Sequence, residues 1–169
     1  MFDSTVLGVD PGLARVGIAV VGRRDRTNRL IDARTLRTPA DLEESKRLER
    51  VATAVADAIE AFRPDAVALE RVAWNRNQVS ALRVARAIGA VMVEAARAGL
   101  PVEEYGPNEV KVAVTGAGNA DKRDVRLALQ RIHGLRDVPA QADAADAAAV
   151  ALTHLLGRRL RDMARAGAR

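Results

Sequence analysis

Arg63-Pro64-Asp65-Ala66-Val67-Ala68-Leu69-Glu70 is the stretch on which the fold turns. Proline cannot continue a helix and pushes the residue before it out of the helical region, so whatever precedes must stop here. The residues that follow are continuously apolar up to a single acid, the pattern of a short strand buried on both faces. Upstream, from Asp41 to Phe62, Leu48, Val51, Val55, Ile59 and Phe62 recur at three- and four-residue steps and predict a long helix. A strand that follows a long helix closes a βαβ unit. Ala66–Glu70 is therefore expected to run parallel to an earlier strand, in the interior of a sheet.

Working outward, Thr5 to Asp10 and Val16 to Val21 are apolar and β-branched, joined by the turn Pro11-Gly12-Leu13-Ala14-Arg15, and a third strand is expected from Leu30 to Arg37. Short connections make these three an antiparallel meander. Downstream, Gln78 to Arg97 predicts a second long helix with two apolar stripes, Val84, Ile88, Val91, Ala95 and Leu82, Ala85, Gly89, Met92, Ala96. One stripe covers the sheet. The other either sinks into the same core, the commoner outcome, or meets a second subunit. Gly99-Leu100-Pro101 then leads to a strand at Val102–Tyr105 and to helices at about Asn108–Val114, Ala120–Ile132 and Ala140–Met163.

At 169 residues, with 27 Lys plus Arg against 22 Asp plus Glu, the chain has the size of one domain and a net charge of +5. Without cysteine it has no disulfide framework, thiol nucleophile or zinc ribbon. Every apolar run falls short of the roughly 18 residues that cross a bilayer, and the N-terminus does not read as a leader, so a cytoplasmic protein is expected. Four aromatics, Phe2, Phe62, Trp74 and Tyr105, are too few for a multi-ring stacking platform on nucleic acid. A basic chain still favours a polyanionic partner, unless its arginines merely reflect genome composition.

Acids stand where that element order would use them. Ligands of an open parallel sheet bind at the carboxyl ends of its strands, and Asp10 and Glu70 end the first and fourth. Each also has an innocent role, Asp10 as a turn residue and Glu70 as a surface partner of Arg71. Asp143 and Asp146 open a helix otherwise made of Ala, Val and Leu, and their spacing puts them on one face, about 5 to 6 Å apart at Cβ. The helix dipole satisfies one acid there; two in so apolar a setting point to a cation. Four carboxylates with neither cysteine nor a histidine cluster make an all-oxygen donor set, suited to Mg²⁺ or Mn²⁺. Two such ions clamp a phosphodiester for in-line hydrolysis.

Gly8-Val9-Asp10-Pro11-Gly12 with Gly17, Ala68-Leu69-Glu70-Arg71-Val72, Tyr105-Gly106-Pro107 with Val110-Lys111, Gly116-Ala117-Gly118 with Lys122, and Asp143-Ala144-Ala145-Asp146-Ala147 with Thr153-His154 together resemble the RuvC family of Holliday junction resolvases. The resemblance runs in order from about residue 5 to 156. It implies an α/β, RNase H-like fold with a five-stranded mixed sheet in the order 3-2-1-4-5, flanked by helices. It also implies a homodimer that nicks two opposed strands of a four-way DNA junction, with Asp10, Glu70, Asp143 and Asp146 as catalytic, metal-binding acids for two ions. A branch-migration helicase complex is the family's partner. The nearest alternative is another RNase H-like nuclease, acting on RNA or duplex DNA. Asp10-Pro11-Gly12 also resembles the phosphate loop of actin-like ATPases, a fold that needs a second, related domain.

Lys111 and Lys122, two of only three lysines, flank the glycine-rich loop Thr115–Asn119, and Asn119 is positioned to cap the helix that Lys122 begins. Alone they read as solvated side chains; the resemblance makes both DNA contacts near the cleaved strand. Family members carry an aromatic three residues after the glutamate, where this chain has Ala73. Trp74 is then expected to be the wedge at the junction, unless it packs on the next helix, and Arg76 is taken as a DNA contact beside it. Residues 41–70 carry a net −4, 71–97 a net +4 and 108–136 a net +3, so basic walls are expected around an acidic floor. Residues 157–169, net +4, are expected to be a flexible basic tail to a nuclease domain at 1–156, adding a salt-sensitive phosphate contact.

Overall fold

The computed structural model describes residues 2–71 and 78–167, the segment 158–167 as backbone only. Trp74 and Arg76 lie outside the described residues. Three antiparallel strands, β1 (Ser4–Asp10), β2 (Arg15–Arg24) and β3 (Thr27–Arg37), open the chain. Helix α1 (Glu44–Phe62) leads into β4 (Ala66–Glu70), which pairs parallel with β1, and α2 (Gln78–Arg97) leads into β5 (Val102–Tyr105), parallel to β4. The order is β3-β2-β1-β4-β5, the mixed sheet that the resemblance implied. Helices α3 (Pro107–Thr115), α4 (Lys122–Arg131) and α5 (Ala142–Gly167) complete the chain.

Several boundaries differ from expectation for local reasons. β2 and β3 run on to a two-residue turn, Asp25-Arg26, with positive φ at both residues (48° and 69°). That backbone suits the twist of a hairpin, but Asp-Arg lacks the glycine that normally announces it. α1 starts at Glu44 rather than Asp41 because Thr38 is tied back to the first turn. Its N–H donates to Ala14 O at 3.1 Å and its hydroxyl donates to Leu13 O, so the chain needs residues 39–43 to turn into the helix. α1 ends where Pro64 requires, on a left-handed Arg63 whose N–H returns to Ile59 O at 2.9 Å.

Two apolar layers cover the sheet. On one face Val51, Val55, Ile88, Val91 and Ala95 of α1 and α2 pack on Leu7, Val9, Ile18 and Leu69. On the other, α3, α4 and the alanine-rich face of α5 bury Val6, Ala19, Val21 and Ala68. Of the two stripes of α2, it is Val84, Ile88, Val91 and Ala95 that faces the first of these layers. The second stripe does not sink into it: Leu82 and Met92 are 52% and 37% exposed in the single chain, with Val79 and Val93 exposed beside them. Among the described residues no helix is long and apolar enough to cross a membrane.

Candidate active site

Because β1 and β4 are parallel neighbours, with Val9 beside Leu69, their last residues emerge together, and Asp10 and Glu70 share one edge of the sheet. α5 brings the other two acids to the same edge by lying unusually close to β1 and β2. A Cβ on Gly8 would sit 2.8 Å from Ala151 Cβ, and one on Gly17 would run into the carbonyl of Asp143. Gly17 is also the register partner of Asp10 across β1 and β2. The absent side chain thus sets the distance from the first turn of α5 to the carboxyl end of β1. All four acids line one open cleft of about 710 Å³, together with Lys111 and Lys122.

The electrostatics are those of crowded acids. Burial, first, and then the charge and hydrogen bond of Glu70 push the Asp10 carboxyl up to about 8, with smaller contributions from Asp146 and Asp143. The crowding of the two carboxyls therefore favours a proton shared within that pair. Lys122 Nζ donates to Asp146 Oδ2 at 2.6 Å, and Arg15 Nε lies 3.4 Å from Asp143 Oδ2. The hydrogen bond to Asp146 is the main cause that raises Lys122 above its ordinary value of 10.5; burial opposes it, and the charges of Asp10 and Glu70 add to it. The acids are mostly shielded, at 21% and 23% side-chain exposure, whereas Arg15 and Lys122 reach in from solvent at 58% and 73%.

As they stand, no three acids or histidines among the described residues are arranged around a common ion. The Lys122 ammonium on Asp146 and the Arg15 guanidinium on Asp143 supply positive charge there instead. That substitution, with oxygen as the donor type of all four acids, fits a hard divalent cation at the same place.

Lys122 is held differently from the expectation. The cap of α4 is Asp121, whose Oδ1 accepts from Asp124 N at 2.8 Å while Asp124 returns a bond to Asp121 N. Asn119 is not that cap, because it sits in the turn at residues 118–119 and the chain runs two residues further before the helix is capped. Two features escape a reading of the sequence. Arg15 looks there like part of a turn and no more, although a cation five residues after Asp10 in a tight hairpin must return to that edge. Tyr105 and His154 are both buried, with Oη 3.0 Å from Nδ1 and the rings edge-on at 87°. This contact joins the end of β5, register partner of Glu70, to the helix face that carries the aspartates.

A mixed 3-2-1-4-5 sheet with acids gathered at the carboxyl ends of its two central parallel strands, and a last helix adding two more, defines an RNase H-like nuclease. A family model described as crossover junction endodeoxyribonuclease RuvC matches residues 6–154, and the chain belongs to that family. A relative of that name from Saccharopolyspora erythraea is 49% identical over 89% of this chain and 76% of its own. The structure described as Thermus thermophilus RuvC in complex with Holliday junction substrate superposes with a TM-score of 0.87 at 37% identity, covering 93% of this chain and 96% of that one. Yeast mitochondrial Holliday junction resolvase Ydc2 shares the fold, with a TM-score of 0.67 at 14% identity over 89% and 77% of the two chains.

Proposed function

We propose that this protein is a divalent-metal-dependent endonuclease that resolves four-way DNA junctions by paired symmetric nicks, serving recombination and repair in the cytoplasm. The observation that carries this reading is the convergence of Asp10, Glu70, Asp143 and Asp146 from three elements on one open cleft flanked by Lys111 and Lys122. Acids alone repel a polyanion, so their gathering in a basic chain makes sense only if cations bridge them to phosphate. The similarity to a structure bound to a Holliday junction names the substrate class.

Asp10 and Glu70 on one side and Asp143 and Asp146 on the other would hold Mg²⁺ or Mn²⁺, two ions per site. When bound, such ions activate water for attack on the phosphate and stabilise the departing 3′ oxygen. To receive them Asp10 must release its proton and Asp146 must exchange its Lys122 partner. The freed Nζ then turns to the phosphate, a compact point charge at the place where negative charge accumulates. Lys111, half-buried on α3, neutralises the same strand. The exposed stripe of α2, Leu82 and Met92 with Gly89 between them, is an apolar face for a homodimer, which would present two sites to opposed strands. Trp74 and Arg76 are proposed as contacts at the branch point, residues 157–169 as a salt-sensitive phosphate contact beyond the domain at 1–156, and a branch-migration helicase as the partner assembly.

A labelled four-way junction, incubated with and without Mg²⁺ beside its linear arms, tests the proposal. Symmetric paired nicks that need the ion and spare the arms are expected; arms cut as readily would make the chain a duplex nuclease. Asp10→Asn should bind the junction and fail to nick it, and retained cleavage would sink the assignment of the acids.

A further inference from the structure

The walls of the cleft come from opposite faces of the sheet. Lys111 and Lys122 stand on α3 and α4, but the cleft is also lined by Arg15 at the start of β2 and by Arg47 of α1. Arg47 belongs to a segment of net −4, where a phosphate contact is least expected. The neighbouring acids of α1 are committed elsewhere: Glu44 to Arg83 and Arg86, Glu49 to Lys46 at 3.0 Å, and Glu43 to the Ser45 hydroxyl at 2.9 Å. Arg47 is not neutralised by any of them. Among the described residues its Nε donates to the Thr38 hydroxyl at 2.9 Å, a neutral partner. Thr38, only 6% exposed, in turn donates to Leu13 O and is tied by its N–H to Ala14 O, in the turn that follows Asp10. The guanidinium is thus anchored by one nitrogen to Thr38, which is itself tied to the turn after Asp10. Arg15 is also anchored through Nε, but against a charged partner, Asp143. Both side chains line the cleft, and a guanidinium anchored through Nε keeps two terminal amino groups, a planar pair of donors that matches two oxygens of a phosphate.

Resting on the reading of the cleft as a DNA site, we propose that Arg15 and Arg47 form a second phosphate-binding wall. Arg47 grips the DNA backbone from the α1 side and Arg15 from the end of the sheet beside Asp143, with Lys111 and Lys122 on α3 and α4 and Thr38 as the positioning residue for Arg47. A backbone held from both sides cannot roll in an open cleft, so the scissile phosphate is presented to the acids in one orientation.

The test is junction binding across a salt series, in the full chain carrying Asp10→Asn so that no cleavage intervenes. Removing one charged partner of a phosphate should lower the slope of log K against log salt by about 0.9. Arg15→Gln and Arg47→Gln are each expected to do so, the double variant to change it by about twice as much, and Arg47→Lys to restore its share. Melting temperatures of the same variants separate binding from folding. Unchanged slopes overturn the wall, whether or not Arg47→Gln melts earlier, since an arginine that only braces Thr38 would move stability and not salt dependence. Arg15, well exposed, keeps the test open if Arg47→Gln does not fold. Failure of the Asp10→Asn parent to bind any junction would sink the reading of the cleft itself, whereas normal binding with wild-type slopes sinks the wall alone.

Discussion

The sheet's two faces are packed to different thicknesses. On the α1 and α2 side, branched side chains interdigitate: Val51, Val55, Ile88 and Val91 stand between the helix backbones and the strands. On the α5 side, Gly8 and Gly17 present no side chain and Ala144, Ala147, Ala148 and Ala151 present the smallest ones, so helix and sheet nearly touch backbone to backbone. A layer of side chains can repack around a substitution; a backbone contact cannot yield without moving the helix. The acids occupy the thin side and the end of the sheet against it. There the separation of Asp143 from Asp10 depends on no flexible group, which suits the proposal that these acids hold ions between them.

The sharpest way to break that comparison is to thicken one side and thin the other. Gly17→Ala places a methyl against the Asp143 carbonyl and should displace the start of α5. A shift of about 1 Å in a catalytic group is enough for a loss of roughly 100-fold in cleavage, and overpacking costs about 1–3 kcal/mol. Val55→Ala on the other face should cost a similar roughly 1–3 kcal/mol. It should leave cleavage per folded molecule unchanged. Thermal melts paired with junction cleavage under saturating Mg²⁺ decide it. Equal loss of cleavage at equal loss of stability would show that the thin packing has no special part in the site.

The acidic end gives the thin side a pH dependence. The native state keeps a proton on Asp10 until about pH 8, while the unfolded chain releases it near its ordinary 3.8. Between those values the native state binds more protons, so the metal-free protein loses stability as pH rises through the interval, by on the order of a few kcal/mol. Denaturation in a chelator should show the decline, and Asp10→Asn should flatten it. Mg²⁺ or Mn²⁺ should raise the melting temperature more at pH 8 than at pH 5, because at low pH the proton competes for the carboxylate. A metal effect independent of pH would separate Asp10 from the ion site.

Much of this was legible in the sequence, for a physical reason. Strand runs such as Val16–Val21, the periodicity of α1, the stop at Pro64 and the acids at strand ends are local patterns, each set by the residues that carry it. Gly8 and Gly17 could be quoted as part of a motif, but their purpose lies on α5, more than a hundred residues away. Arg47 was hidden because a segment's net charge averages over side chains pointing in different directions. The cap of α4 needed the backbone path: both Asn119 and Asp121 suit the position by type, and only the turn between them decides. The stripe of Leu82 and Met92 was readable, but its exposure depends on how far α1 and the sheet cover α2.

That stripe tests the thick side from outside. If α2 meets a second copy there, Leu82→Lys should weaken self-association by about tenfold or more, since a charge at the centre of an apolar contact is left unpaired. Light scattering over a dilution series reads this directly. Val79→Lys, farther along the helix, is the milder variant. A chain equally dimeric with Lys at 82 would move the interface elsewhere.

The smallest expected effect belongs to the contact that joins the two sides of the site. Tyr105→Phe removes the hydroxyl that meets His154 and keeps the edge-on ring packing at 6.0 Å. One such hydrogen bond contributes about 0.5–1.5 kcal/mol, so the melting temperature should fall by only about 2–6 °C. Tyr105 is the register partner of Glu70, and His154 lies on the helix that carries Asp143 and Asp146, so without that bond β5 is looser against α5 while every group in the cleft is unchanged. Cleavage at saturating Mg²⁺ should therefore be nearly unchanged, while the Mg²⁺ concentration for half-maximal cleavage rises as the two pairs of acids become less well aligned. A fall in stability with no change in metal requirement would assign the pair to the core alone. The glycines of the thin face would then be sufficient to hold the acids in place.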